Sequence, residues 1–171
     1  MFNLYALKRN YEFEYRVDIT LRADCLEWDI IVSNKGDKPF DITTALHSYW
    51  DISSISNIEI QGPFKGAQSV NKVDNTPGVC DTDTLKITAH TDMLYKGVTG
   101  PVSIIDHGKK TKTTIERKGY PDTCVWSPFG NDAMGYDKFI CVEPVQSAPL
   151  TIPVGKFKET KFYQKVTCTK I

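Results

Sequence analysis

Histidine is scarce in this sequence, with three residues in 171, and neither sign of charge is in surplus. Lysine plus arginine and aspartate plus glutamate each number 21, and the basic side chains are scattered along the chain. That pattern lacks the electrostatic footprint of a nucleic-acid binder, so no nucleic-acid partner is expected. Cys25, Cys80, Cys124, Cys141 and Cys168 form no C-x-x-C pair and no Cys/His spacing of the kind that closes around zinc. Reduced thiols in a cytoplasmic protein are the simplest account of them. Nowhere do 18 apolar residues run together, and the opening MFNLYALKRNYEFEY mixes charged with aromatic residues where a signal peptide needs an apolar stretch. No membrane partner is expected. Glycine-rich phosphate loops, a nucleophile elbow and paired metal ligands are also missing. Residues 1–171 are read as one domain, long enough to bury a core without covalent staples and free of any internal repeat or composition break.

What is present reads as β structure. Phe13, Tyr15, Val17, Ile19 and Leu21 alternate with Glu14, Arg16, Asp18 and Thr20, the period of a strand with one wet face. Leu26, Trp28, Ile30 and Val32 repeat that period, so the two runs read as a hairpin. PVSIID and TKTTIER flank HGKK, where Gly108 is expected to take a positive φ in a second hairpin. DTCVWS, FICVEP and ETKFYQKVT add three more strand-like stretches. No window of a dozen residues has a 3.6-residue apolar period, and NDAMGYDKF allows a turn or two of helix at most. Residues 61–84 and 127–138, rich in glycine, proline, asparagine or aspartate, read as long loops. The fold class expected is an all-β antiparallel sandwich.

Three residues could carry chemistry. His47, in TTALHSYWDIS, stands at the end of an apolar strand, where an imidazole is either satisfied by a neighbouring carbonyl or hydroxyl or acts as an acid or base. His107 sits in a predicted hairpin tip and His90 has no obvious partner. Glu143, in FICVEPV, follows an apolar strand directly and precedes a proline, which is expected to end the strand. Its carboxylate is either a paired structural charge or a base whose pKa burial raises toward working pH. Asp92, in HTDMLYKGV, could cap a turn. One histidine, one glutamate and one aspartate on separate strand ends suggest general acid–base work, although spacing alone does not bring them together.

DKPFDITTALHSYWDIS resembles the KPF…ALHTYF segment of the aldose 1-epimerase-like proteins, closest to the hexose-6-phosphate mutarotases. VWSPFGNDAMGYDKFICVEP is similar to their VVWNPW…VCVEP segment, and TDMLYKGV to the VDRIY stretch between the two. The three occur in the family's order, so the likeness runs from about Phe13 to the C-terminus. The resemblance implies a galactose-mutarotase-like supersandwich with a sugar cleft, in which His47 is the acid, Glu143 the base and Asp92 a hydroxyl-holding residue. It implies an isomerase that interconverts the anomers of a hexose or hexose 6-phosphate with neither metal nor organic cofactor. It also implies that only the C-terminal portion of the fold is present, without the GG…FPQFG and HGFAR-like stretches. Half a sandwich leaves strand edges and an apolar face that a second chain could complete. The alternative function is a non-catalytic carbohydrate-binding or interaction module in which Trp50 and Trp126 stack on sugar faces.

Overall fold

A computed structural model describes residues 11–155 and 158–171. The strands along the chain are β1 (Phe13–Leu21), β2 (Cys25–Asn34), β3 (Phe40–Ala45), β4 (Tyr49–Asp51), β5 (Ile58–Gln61), β6 (Gln68–Asn71) and β7 (Thr76–Val79). They continue as β8 (Thr84–Leu85), β9 (Thr91–Tyr95), β10 (Val102–Asp106), β11 (Thr111–Lys118), β12 (Asp122–Ser127), β13 (Phe139–Ile152) and β14 (Glu159–Lys170). Short 3₁₀ turns at Ile55–Asn57, Asp132–Met134 and Tyr136–Lys138 are the helical pieces among the described residues. No helix among them is long and apolar enough to cross a membrane.

The strands build two antiparallel sheets, ordered β1-β2-β14-β11-β10-β5-β8 and β3-β13-β12-β9-β6-β7, with β4 also paired to β13. The first hairpin keeps the register its alternation predicts, Phe13 opposite Asn34 and Leu21 opposite Leu26. Inward residues of both sheets meet in one apolar cluster: Ile60, Val102, Ile104, Ile115 and Val166 from the first, Tyr95, Val125, Ile140 and Val142 from the second. A second cluster joins Ile30, Val32 and Phe162 to Phe40, Tyr120 and Ile152. Along β1 the alternation outruns its cover: Phe13, Tyr15 and Val17 pack on the second cluster, whereas Ile19 and Leu21 are 55% and 80% exposed.

Several sequence expectations are corrected. Residues 61–84 are not one long loop but hold β6 and β7, a hairpin turned through 72–75 with Asn75 at φ 61°. All four residues of β7 are exposed, so it has no buried face to impose an apolar period. In the HGKK turn it is Lys110, at φ 54°, that takes the positive φ, not Gly108. Glycine is required at 108 for space, because a Cβ there would stand 2.3 Å from Ser53 Oγ.

Pro144 does not end its strand, for β13 runs on to Ile152. Its carbonyl accepts a hydrogen bond from Leu46 N at 3.2 Å, so its nitrogen points to the same side, where residues 46–48 bridge β3 and β4 without strand pairing. No ladder bond is lost there. Pro149 sits where the register of β13 against β3 shifts between Gln146 and Leu150, an irregularity that likewise tolerates proline.

Candidate active site

Alternation along β13 sends Ile140 and Val142 into the core and Cys141 and Glu143 to the opposite face of the sheet. Residues directly opposite each other across antiparallel strands share a face. Trp126 stands opposite both Cys141 and Asp92, and Cys124 opposite both Glu143 and Leu94. Asp92, Cys124, Trp126, Cys141 and Glu143 therefore share the face that points away from the core. Asp92 lies within β9 and caps no turn.

His47 reaches this face from outside the ladder. β3 ends at Ala45, and residues 46–48 cross to β4 held by Leu46 N on Pro144 O and Ser48 N on Leu46 O. Freed from strand alternation, the imidazole turns over Glu143, with Nδ1 3.4 Å from Oε1. The two residues are 96 positions apart in the chain (143 − 47) and face one another on one surface. His107 lies in the turn between β10 and β11 with Nε2 4.0 Å from Glu59, and His90 is exposed just before β9.

A ring of aromatics flanks the pair. His47 stacks on Tyr49 at 5.0 Å and meets the edge of Trp126 at 5.7 Å. Phe139 lies 5.1 Å from Tyr49 and 5.9 Å from Trp126. Trp50 turns the other way, donating its indole N–H to Val142 O and packing on the core, so it offers no face to a sugar here.

Glu143 is 5% exposed. Burial among apolar groups, aided by the like charge of Asp92, pushes its pKa up to about 8. Cys124 lies between the two carboxylates with Sγ 3.6 Å from Asp92 Oδ1, and burial raises its thiol and that of Cys141 well above the ordinary range. All five cysteines are free thiols.

Tyr49, Phe139, Cys124 and Cys141 escaped the sequence reading. A signal existed for two of them: Cys141 sits two residues before Glu143 and Tyr49 two residues after His47, the strand period on either side.

The aldose 1-epimerase family profile matches residues 8–164. The chain belongs to the aldose 1-epimerase family. A Cenchrus ciliaris protein provisionally named glucose-6-phosphate 1-epimerase is 27% identical over 161 residues, covering 86% of this chain and 48% of that protein. Among solved structures, a Salmonella typhimurium protein provisionally named a mutarotase aligns with a TM-score of 0.79 at 21% identity, over 97% of this chain and 56% of that one. A galactose mutarotase related enzyme from Lactobacillus acidophilus aligns at 0.77 and 17% identity, over 94% and 62%. At these identities the structural likeness carries the fold, an all-β antiparallel sandwich shared with galactose-mutarotase-like proteins. This aldose 1-epimerase family chain spans about half the length of the curated relative it matches.

Proposed function

We propose that this chain interconverts the α and β anomers of a hexose or hexose 6-phosphate by opening and reclosing the ring, with His47 as acid, Glu143 as base and Asp92 holding a sugar hydroxyl. The observation that carries the reading is the approach of His47 Nδ1 to within 3.4 Å of a buried Glu143 carboxylate. The anomeric hydroxyl and the ring oxygen are bonded to one carbon, so the groups that serve them must lie within a few ångströms of each other. Glu143 takes the proton of the anomeric hydroxyl while the imidazolium of His47 delivers one to the ring oxygen, and the hemiacetal opens to an aldehyde. Rotation about the adjacent C–C bond exposes the other carbonyl face. Closure then runs with the roles reversed, returning the proton from Glu143 and restoring the imidazolium. A glucose-6-phosphate 1-epimerase name on the Cenchrus relative is what favours a phosphorylated sugar among the hexoses.

Polarimetry on freshly dissolved α-glucose 6-phosphate and α-galactose tests this directly. Wild type should hasten the drift to equilibrium and His47→Ala should not; equal rates for the two would refute the assigned roles. A carbohydrate-binding module is the second reading, favoured by the exposed ring of Tyr49 beside Trp126 and Phe139. Sugar binding without faster equilibration would select it.

Ring opening needs one proton on the pair, delivered by His47 while Glu143 is ionised; burial favours that proton on Glu143, so the productive arrangement is the minority one. Above the Glu143 pKa of about 8 the pair holds none, and no acid remains to open the ring. We expect kcat/KM to fall about tenfold per pH unit beyond that point. Asp92→Asn removes a like charge that holds the Glu143 pKa up, so the alkaline limb should move to lower pH. A limb that stays in place, or moves upward, counts against Asp92 acting on Glu143.

A further inference from the structure

His47, Cys141 and Glu143 form more than an acid–base pair with a neighbour. One donor atom from each, an imidazole nitrogen, the thiol sulfur and a carboxylate oxygen, lies within 4.8 Å of the other two. A tetrahedral zinc ion with bonds of roughly 2.0–2.3 Å sets its donors about 3.3–3.8 Å apart. Nδ1 of His47 and Oε1 of Glu143 already stand at 3.4 Å. From the 4.8 Å bound, the sulfur needs to close by roughly 1–1.5 Å at most to reach the same spacing.

The buried donors point to a ligand as well. Cys141 is fully buried and Glu143 is 5% exposed. Among the described residues no hydrogen bond engages either side chain, and the imidazole that faces Glu143 is itself the third donor. A polar pair of that kind on one strand, capped by an imidazole, wants a cation. The strand period fixes Cys141 and Glu143 on one face, and the 46–48 link holds His47 over them. The His47 side chain is half exposed, so a fourth position opens to solvent.

We propose that His47, Cys141 and Glu143 bind a borderline-soft divalent ion such as Zn²⁺, three protein donors and one water, and that the ion inhibits the enzyme. Nitrogen, sulfur and oxygen donors in one site select such an ion over Mg²⁺ or Ca²⁺, which take oxygen. The thiol and any carboxylic proton leave to solvent as the bonds form. The ion covers the acid and the base at once. Inhibition thus rests on the proton-transfer reading, whereas binding does not.

The test uses chelator-stripped protein titrated with Co²⁺, a spectroscopic stand-in for Zn²⁺. Wild type should develop a near-ultraviolet thiolate-to-cobalt band with the intense visible bands of a tetrahedral site, both erased by one equivalent of Zn²⁺. Cys141→Ser should lose the near-ultraviolet band and weaken binding by about 10- to 100-fold or more. Cys168→Ser, which alters an exposed thiol, should keep the band. His47→Gln, at a half-exposed position where folding is not at stake, should bind more weakly yet retain it. A wild type without the band overturns the site, as does a band that survives Cys141→Ser or an affinity unchanged by His47→Gln. The two readings fail separately. Stripped protein that hastens mutarotation but shows no cobalt band sinks the metal site alone, and a cobalt band on protein without mutarotase activity sinks the catalytic reading alone.

Discussion

Glu143→Gln is expected to lower the rate of anomer exchange by about 10²- to 10⁴-fold, the range that a positioned general base supplies. Glutamine keeps the shape and much of the polarity of the side chain but accepts no proton at working pH. The same substitution should make the fold more stable. Burial raises the folded pKa of Glu143 from 4.5 to about 8, so the folded state favours the protonated form. That preference is fully present below pH 4.5, where folded and unfolded chains are both protonated. It is lost as pH climbs toward 8, because the unfolded chain ionises freely and the folded one does not. The glutamine variant should gain nothing over wild type near pH 4 and up to a few kcal/mol near pH 8 and above. Denaturant melts at the two pH values read this directly. A loss of stability at pH 8 would mean that the carboxylate is a structural charge after all.

The second large effect lies in the core. Phe162→Ala is expected to cost about 3–5 kcal/mol, read as a lower urea midpoint at an unchanged slope. Phe162 is 2% exposed, and its ring centroid stands 4.7 Å from that of Tyr120, itself 2% exposed. The chain brings Tyr120 in by turning at Gly119, whose φ is +85°. A Cβ there would stand 2.6 Å from Lys161 O and 3.1 Å from Phe162 Cδ1. Gly119→Ala should therefore destabilise through the same corner, by backbone strain added to a clash. If Phe162→Ala melts within about 1 kcal/mol of wild type, the second cluster collapses around the gap instead of leaving a cavity.

Long strands with one buried face were legible in the sequence, because a two-residue apolar period is the direct trace of such a face. β1 and β2 fall where the alternation put them, and β10, β11, β12 and the starts of β13 and β14 where strand-like stretches were read. β6 and β7 did not announce themselves. They are four residues each, and β7, which contains Pro77 and Gly78, forms the sheet's edge beside β6, so neither period nor propensity marks them. The far end of β13 was hidden for another reason: Pro144 reads locally as a stop, and only the neighbouring strand's end makes its missing N–H harmless. The candidate site was visible through its resemblance to a family, residue by residue, but not through spacing. Nothing local says that position 47 will fold over position 143, since that meeting depends on β3 and β13 pairing as far as Ala45 and Val145. The aromatic surround was missed because Tyr49 and Phe139 look like ordinary strand residues until cross-strand register puts them side by side.

Alternate residues of β13 answer to different demands: Ile140 and Val142 hold the two layers together, while Cys141 and Glu143 lie on the reverse face. A saturation scan of this strand that measures cellular abundance and turnover in parallel should separate the two demands at neighbouring positions. Abundance would dip at 140 and 142, and turnover at 143. A descendant that drifted into inactivity at 143 would then accumulate in the cell as fully as its ancestor, so its expression level would say nothing about whether it still works.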